Sequence, residues 1–172
     1  MSSLALALGY LLGSIPFAYV IPRLVKGVDI HTVGTGNVGG HNVMREVGRM
    51  WGMLALCLDA GKGAAAVLVA QALGVGGWAI VACGLAAVVG HIFPLWLGFR
   101  GGGGLATSLG IGLTLLPLEG GICLALCLVL YLLVTHNIAF SAGVALIAAS
   151  ALAGVLGREL YLSLAPLTLA AL

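Results

Sequence analysis

The chain has 172 residues, 62% of them hydrophobic and 7% charged, with a formal net charge of +2 and a mean hydropathy of +1.22. Soluble domains carry about 25% charged residues, so the composition excludes an ordinary water-soluble globule, and so small a charge gives no footprint for nucleic acid. What remains is an all-α polytopic integral membrane protein: one membrane-embedded domain over residues 1–172, with no soluble domain or linker.

A bilayer-spanning helix needs ~20 apolar residues. The first such run covers residues 4–24, interrupted by Gly13-Ser14-Ile15-Pro16. It has no basic leader and no small-residue cleavage site, so it reads as a retained span rather than a signal peptide. Residues 25–50 form a polar segment. The second span, residues 51–73, carries Asp59 and Lys62 in its first half. An uncharged turn at 74–77 leads to a third span at 78–97, then to a glycine-rich loop at 99–104. A shorter segment at 105–116 stops at Pro117. A fifth span at 120–134 runs into Thr135-His136-Asn137. A sixth at 138–156 and a seventh at 160–172 complete a count of about seven. Cys57, Cys83, Cys123 and Cys127 lie inside apolar runs and read as reduced packing residues.

Arg23, Lys26, Arg45 and Arg49 flank the polar segment, Arg100 sits at the second loop, and only Arg158 falls on the other side. The positive-inside rule therefore puts both glycine-rich loops in the cytoplasm and the N-terminus outside. With seven spans, Thr135-His136-Asn137 emerges on the same face. The polar clusters converge, which argues for one site at the cytoplasmic face of the cell membrane.

The richest chemistry lies in Gly34-Thr35-Gly36-Asn37-Val38-Gly39-Gly40-His41-Asn42-Val43-Met44-Arg45. Glycines allow positive φ and can line up backbone N–H groups as an anion-binding concavity. An arginine beside them can clamp a phosphate. Asp59 and Lys62, three apart, share a helix face. They form either a structural ion pair or a pair in which Lys62 reaches an anion while Asp59 orients its neighbours. His91, in Gly90-His91-Ile92-Phe93-Pro94, precedes a proline break and suits a proton acceptor or a donor to a substrate oxygen. Arg100-Gly101-Gly102-Gly103-Gly104 runs into Leu105-Ala106-Thr107, glycines at a helix start, which is a seat for phosphate. His41 and His136 stand at membrane–water boundaries and are weaker candidates. No His/Cys/Asp/Glu spacing calls for a metal, and no ATP-binding or dinucleotide fingerprint is present.

In order and spacing, these segments resemble the bacterial acyl-phosphate-dependent glycerol-3-phosphate acyltransferases, the PlsY family. The resemblance runs well through residues 10–110 and loosely beyond. It implies seven helices, a cytoplasmic site and no cofactor. The implied reaction moves an acyl group from acyl phosphate to the 1-hydroxyl of glycerol 3-phosphate, giving lysophosphatidic acid. By matching positions, Thr35, Gly36, Asn37 and Gly39 bind phosphate with Asn42 and Arg45 in support. Asp59, Lys62 and His91 shape the site. Gly101, Gly102 and Thr107 form a second anion seat, and Ser141 belongs to a third motif. The chain departs from the family pattern in several places. Thr35 replaces a serine, Gly40-His41 replaces Ala-Thr, and Gly103 stands where the family has lysine. The third motif survives only as His136-Asn137-Ile138-Ala139-Phe140-Ser141, and the family's last His-Arg-x-Asn-Ile segment is missing from these residues. Two other readings follow: an impaired relative that binds a phosphorylated lipid or partners an active enzyme, and a small transporter of phosphate compounds.

Overall fold

The structure, a computed structural model, describes residues 1–170 and is all-α, with no strand among them. Helices α1 (Ser2–Gly13) and α2 (Phe17–Lys26) are one apolar run divided by Ser14-Ile15-Pro16. Proline brings no N–H and disfavours helical backbone in the residue before it, so the ladder opens and the Ile15 carbonyl, bonded within the backbone by the Phe17 amide at 3.2 Å, can take a second donor. The polar segment holds a single 3₁₀ turn, Ile30–Thr32, and the two-turn helix α3 (Gly40–Glu46). Then come α4 (Arg49–Ala72), α5 (Trp78–Ile92) and, after the second glycine-rich loop, α6 (Leu105–Leu115). Helix α7 (Pro117–Leu130) continues through a π turn, Tyr131–Thr135, into α8 (Ile138–Val155) and α9 (Leu160–Ala170).

Four stretches among the described residues are long and apolar enough to cross a membrane: Ser2–Lys26, Arg49–Ala72, Trp78–Leu97 and Pro117–Val134. The other segments keep nearly their expected bounds: α8 has 18 residues, and the segment after the second loop is short, as its sequence indicated. Helix α6 has 11 residues, a rise of about 16 Å against a hydrocarbon core of about 30 Å. The end of the expected last span, residues 171–172, lies outside the described residues. Leu68, Leu128, Leu133 and Val155 are more than half exposed, the pattern of an apolar exterior that faces lipid.

Tight helix crossings hold the frame, because lipid gives no hydrophobic drive between helices and close contact must supply it. Helix α1 lies on α5 so closely that a Cβ at Gly13 would strike the Ala87 backbone, and one at Gly90 would strike the Tyr10 carbonyl. Helix α4 meets α6 in the same way, with Gly63 against the Thr107 carbonyl and Gly110 against that of Ala60. Above this frame, Ile30, Val38, Val43, Val47 and Ala55 make a small buried core that seats the polar segment on α4. Helices α7 and α8 share a second core around Cys123, Cys127 and Ala145. All four thiols are free; three are buried, while Cys57 is exposed on the outer face of α4 rather than packed. Glu119 of α7, fully buried, is bound by Arg158 of the α8–α9 turn at 2.7 Å.

Candidate active site

The break between α1 and α2 faces the first half of α4. Lys62 Nζ donates to the Ile15 carbonyl at 2.7 Å and lies 2.8 Å from Asp59 Oδ1. Asp59 is 1% and Lys62 5% exposed, so each charge depends on the other for compensation. An ammonium has three donors; with Asp59 and Ile15 engaged, one is left for whatever fills the pocket that Lys62 lines. The sequence allowed Lys62 either an anion or an ion pair, and the ion pair is what forms in this state.

Asp59 also faces His91 of α5, whose Nδ1 is 3.6 Å from Oδ1. That leaves Nε2 for the opposite side of the ring, where it comes up against Gly102: a Cβ there would collide with His91 Nε2 and with the Val38 carbonyl. The two glycine-rich loops thus meet at one imidazole, Val38 from the first and Gly102 from the second. An acid–base group whose far nitrogen faces a carboxylate is held in orientation for work at the near one.

The first loop is fastened by Asn42, which is 2% exposed. Its Oδ1 accepts from the Thr35 amide at 3.1 Å, and its Nδ2 donates to the carbonyls of Val33 and Asn37 at 3.1 Å and Ile30 at 3.4 Å. The Gly36 amide bonds Val33 O, the Gly39 amide bonds Asn37 O, and the Asn37 amide reaches Thr35 Oγ1. The sequence suggested a row of free amides in this loop. At these four positions the amides are engaged instead, because a tight turn must pair its own backbone polar groups. Still open are side chains, with Thr35, Asn37 and Arg45 exposed, and the first-turn amides of α3, which has no side-chain cap. The Arg45 guanidinium has no ion pair among the described residues.

A similar redistribution occurs in the second loop. Gly101 and Gly102 donate their amides to the Ile92 and His91 carbonyls at 2.9 and 3.2 Å, closing the end of α5. The unpaired donors lie one step on, at the first turn of α6, which has Gly104 at its N-cap and no side-chain cap. Thr107 lies in that turn, fully buried, with its hydroxyl unpartnered. Gly103 is exposed, and nothing would meet a Cβ there within 4 Å.

Between these parts lies a pocket of about 10 Å³ lined by Ser14, Ile15, Val38, Asp59, Lys62 and His91. It has room for about one water, and Thr35, Asn37, Arg45 and the start of α6 lie outside its lining. Ser141 is elsewhere. Its hydroxyl donates to the Asn137 carbonyl at the start of α8, and α8 packs on α7 and α9 rather than on α4 and α5. His41 is exposed on α3, and His136 is exposed after the π turn with φ of 50°. No group of three or more His, Cys, Asp or Glu able to hold a metal exists among the described residues.

A family model described as "Glycerol-3-phosphate acyltransferase" matches residues 3–172. The chain belongs to the glycerol-3-phosphate acyltransferase family. A relative of that name from Synechococcus sp. (strain CC9902) is 49% identical over 125 residues, 73% of this chain and 62% of the relative. Another from Anaeromyxobacter dehalogenans (strain 2CP-1) is 50% identical over 123 residues, 68% of this chain and 60% of the relative. The chain thus spans about three-fifths of these curated relatives. A crystal structure of PlsY (YgiH), an integral membrane glycerol 3-phosphate acyltransferase in its glycerol 3-phosphate form, superposes with a TM-score of 0.89 at 34% identity. That alignment covers 99% of this chain and 84% of the other. The lysophosphatidic acid form of the same protein gives 0.87 at 31% identity.

Set against the fold of this family, some site residues carry no sequence signal of their own. Ser14, fully buried with an unpartnered hydroxyl, and the carbonyls of Ile15 and Val38 become visible only once α1, α4 and α5 are packed. His31 is a further case. It sits in the polar segment and bonds across to the second loop. The Gly13-to-Pro16 break was the one cue that could have flagged Ser14 and Ile15.

Proposed function

We propose that this chain transfers an acyl group from acyl phosphate to the 1-hydroxyl of glycerol 3-phosphate, releasing lysophosphatidic acid and inorganic phosphate at the cytoplasmic face of the cell membrane. The observation that carries the reading is the meeting of both glycine-rich loops at His91, with Asp59 and Lys62 behind it. Kinship supports it: the neighbouring PlsY structure is described in a glycerol 3-phosphate form and in a lysophosphatidic acid form.

The chemistry asks little of the protein beyond placement. An acyl phosphate is a mixed anhydride, so its carbonyl is already activated and no covalent enzyme nucleophile is required. The glycerol hydroxyl oxygen attacks the acyl carbon, the ester C–O bond forms, and the bond from acyl carbon to phosphate oxygen breaks. The hydroxyl proton leaves to His91 Nε2 or to a phosphate oxygen of the substrate. Thr35, Asn37 and Arg45 hold one phosphate from the first loop, and the open amides at the start of α6 hold the other. Holding the hydroxyl against the carbonyl makes the reaction effectively intramolecular, which is worth about 7–11 kcal/mol in well-oriented systems.

The test is lysophosphatidic acid formation by the purified protein supplied with acyl phosphate and labelled glycerol 3-phosphate. Product from the wild type, reduced by Arg45→Ala, supports the proposal. No product from the wild type, with product from Gly103→Lys, points instead to an impaired relative. That reading has its own observation, since Gly103 faces open space where a lysine would fit. Silence from the wild type and from Gly103→Lys alike rejects the acyltransferase reading.

A further inference from the structure

The two loops touch at Val38 and Gly102, yet among the described residues a single hydrogen bond joins them. His31 Nε2 lies 3.0 Å from the carbonyl of Arg100, which immediately precedes Gly101. On its other side, His31 Nδ1 is 3.3 Å from Asp29 Oδ1, the same oxygen that accepts the His31 backbone N–H at 3.0 Å. The ring rests against Tyr19 of α2, with centroids 5.5 Å apart and planes at 51°. Asp29 is anchored too, because its carbonyl accepts from the amide and hydroxyl of Thr32 at 3.0 and 2.9 Å. The His31 N–H holds the Asp29 carboxyl below the usual carboxylate range, against a smaller opposing effect of burial. A carboxylate and a carbonyl both accept, so the ring lies between two acceptors, one facing each nitrogen.

We propose that His31 is a positioning residue that sets the second glycine loop in register with the first, and so fixes the separation of the two phosphate seats. Resting on the acyl-transfer reading above, it names a residue outside the site motifs on which that reaction depends. Each seat is built within its own loop: the first on Asn42, the second on the ends of α5 and α6. Losing His31 therefore leaves each able to take its own phosphate while their relative placement loosens. In a reaction driven by orientation, such loosening lowers turnover rather than affinity, since a misplacement of about 1 Å can cost about 10²-fold.

Two readouts on the full chain in detergent decide the matter. In the first, His31→Ala lowers kcat by about 10²-fold while KM for each phosphate substrate stays within about threefold. His31→Arg, whose guanidinium carries donors for both acceptors, restores most of kcat. In the second, amide hydrogen exchange over residues 98–104 speeds by about fivefold or more in His31→Ala, the loss of one hydrogen bond, and returns to the wild-type rate in His31→Arg. Peptides from α4 and α5 stay unchanged, which separates loop release from general unfolding. The exchange arm needs no activity: a wild type without turnover defeats the acyl-transfer reading alone, and exchange still judges His31. Unchanged exchange in His31→Ala overturns the proposal, as does faster exchange with an unaltered kcat.

Discussion

Gly102 and Gly103 are neighbours in one loop, and the structure assigns them opposite tolerances. A Cβ on Gly102 would enter the space of the Val38 carbonyl and of His91 Nε2, and would lie 3.1 Å from His91 Cε1. Neither neighbour has room to retreat. Val38 is 3% exposed in the core beneath the first loop, and His91 is 7% exposed with Asp59 behind it. Accommodating the methyl therefore moves a loop or the imidazole by something on the order of 1 Å, a shift that costs about 10²-fold in an oriented reaction. A Cβ on Gly103 meets nothing within 4 Å, and its φ is not in the left-handed region. Gly103→Ala should thus keep kcat within about threefold, while Gly102→Ala loses about 10²-fold. The assay is initial-rate lysophosphatidic acid formation, normalised to folded protein by thermal unfolding in the same detergent. Equal losses in both variants would refute the reasoning, as would a Gly102→Ala enzyme within threefold of wild type.

Further expectations rest on buried polar groups. Asp59→Ala leaves the Lys62 ammonium buried with only the Ile15 carbonyl, a loss of about 3–5 kcal/mol. Adding Lys62→Met should recover much of that stability in thermal unfolding without recovering turnover. Asn42→Asp keeps the acceptor for the Thr35 amide but turns a carboxylate on the carbonyls of Val33 and Asn37, so it should destabilise the loop more than Asn42→Ala. Exchange over residues 30–42 reads the difference. Arg158→Ala strands the fully buried Glu119 and should lower the unfolding temperature, with Glu119→Gln in the same chain restoring part of it. For Asp29, the lowered pKa means that its bond to His31 N–H is in place above the ordinary carboxylate range and is lost as pH falls through the lowered value. Exchange of the 29–36 segment, corrected for intrinsic rates, should be flat from neutral pH to about 5 and accelerate only in stronger acid.

Sequence alone determined the membrane class, because 7% charged residues in long apolar runs leave few other solutions. It also marked the helix interruption at Gly13 to Pro16, the charged pair at Asp59 and Lys62, and both glycine loops, since each is a local departure from an apolar background. Which runs are full spans was less legible. Periodicity does not say where a short helix such as α6 stops being a span, and the run ending at Leu24 absorbs a break that only Pro16 discloses. The tertiary structure decided which polar atoms are free. Glycine patterns announce amides, but whether Thr35, Gly36, Gly101 and Gly102 hold theirs out or fold them back depends on Asn42 and on the end of α5, residues that reach them only after packing. The same holds for His31 and Arg100, 69 positions apart, and for His91 between Val38 and Gly102. These contacts form where helices cross, and a linear pattern carries no record of which helices will do so.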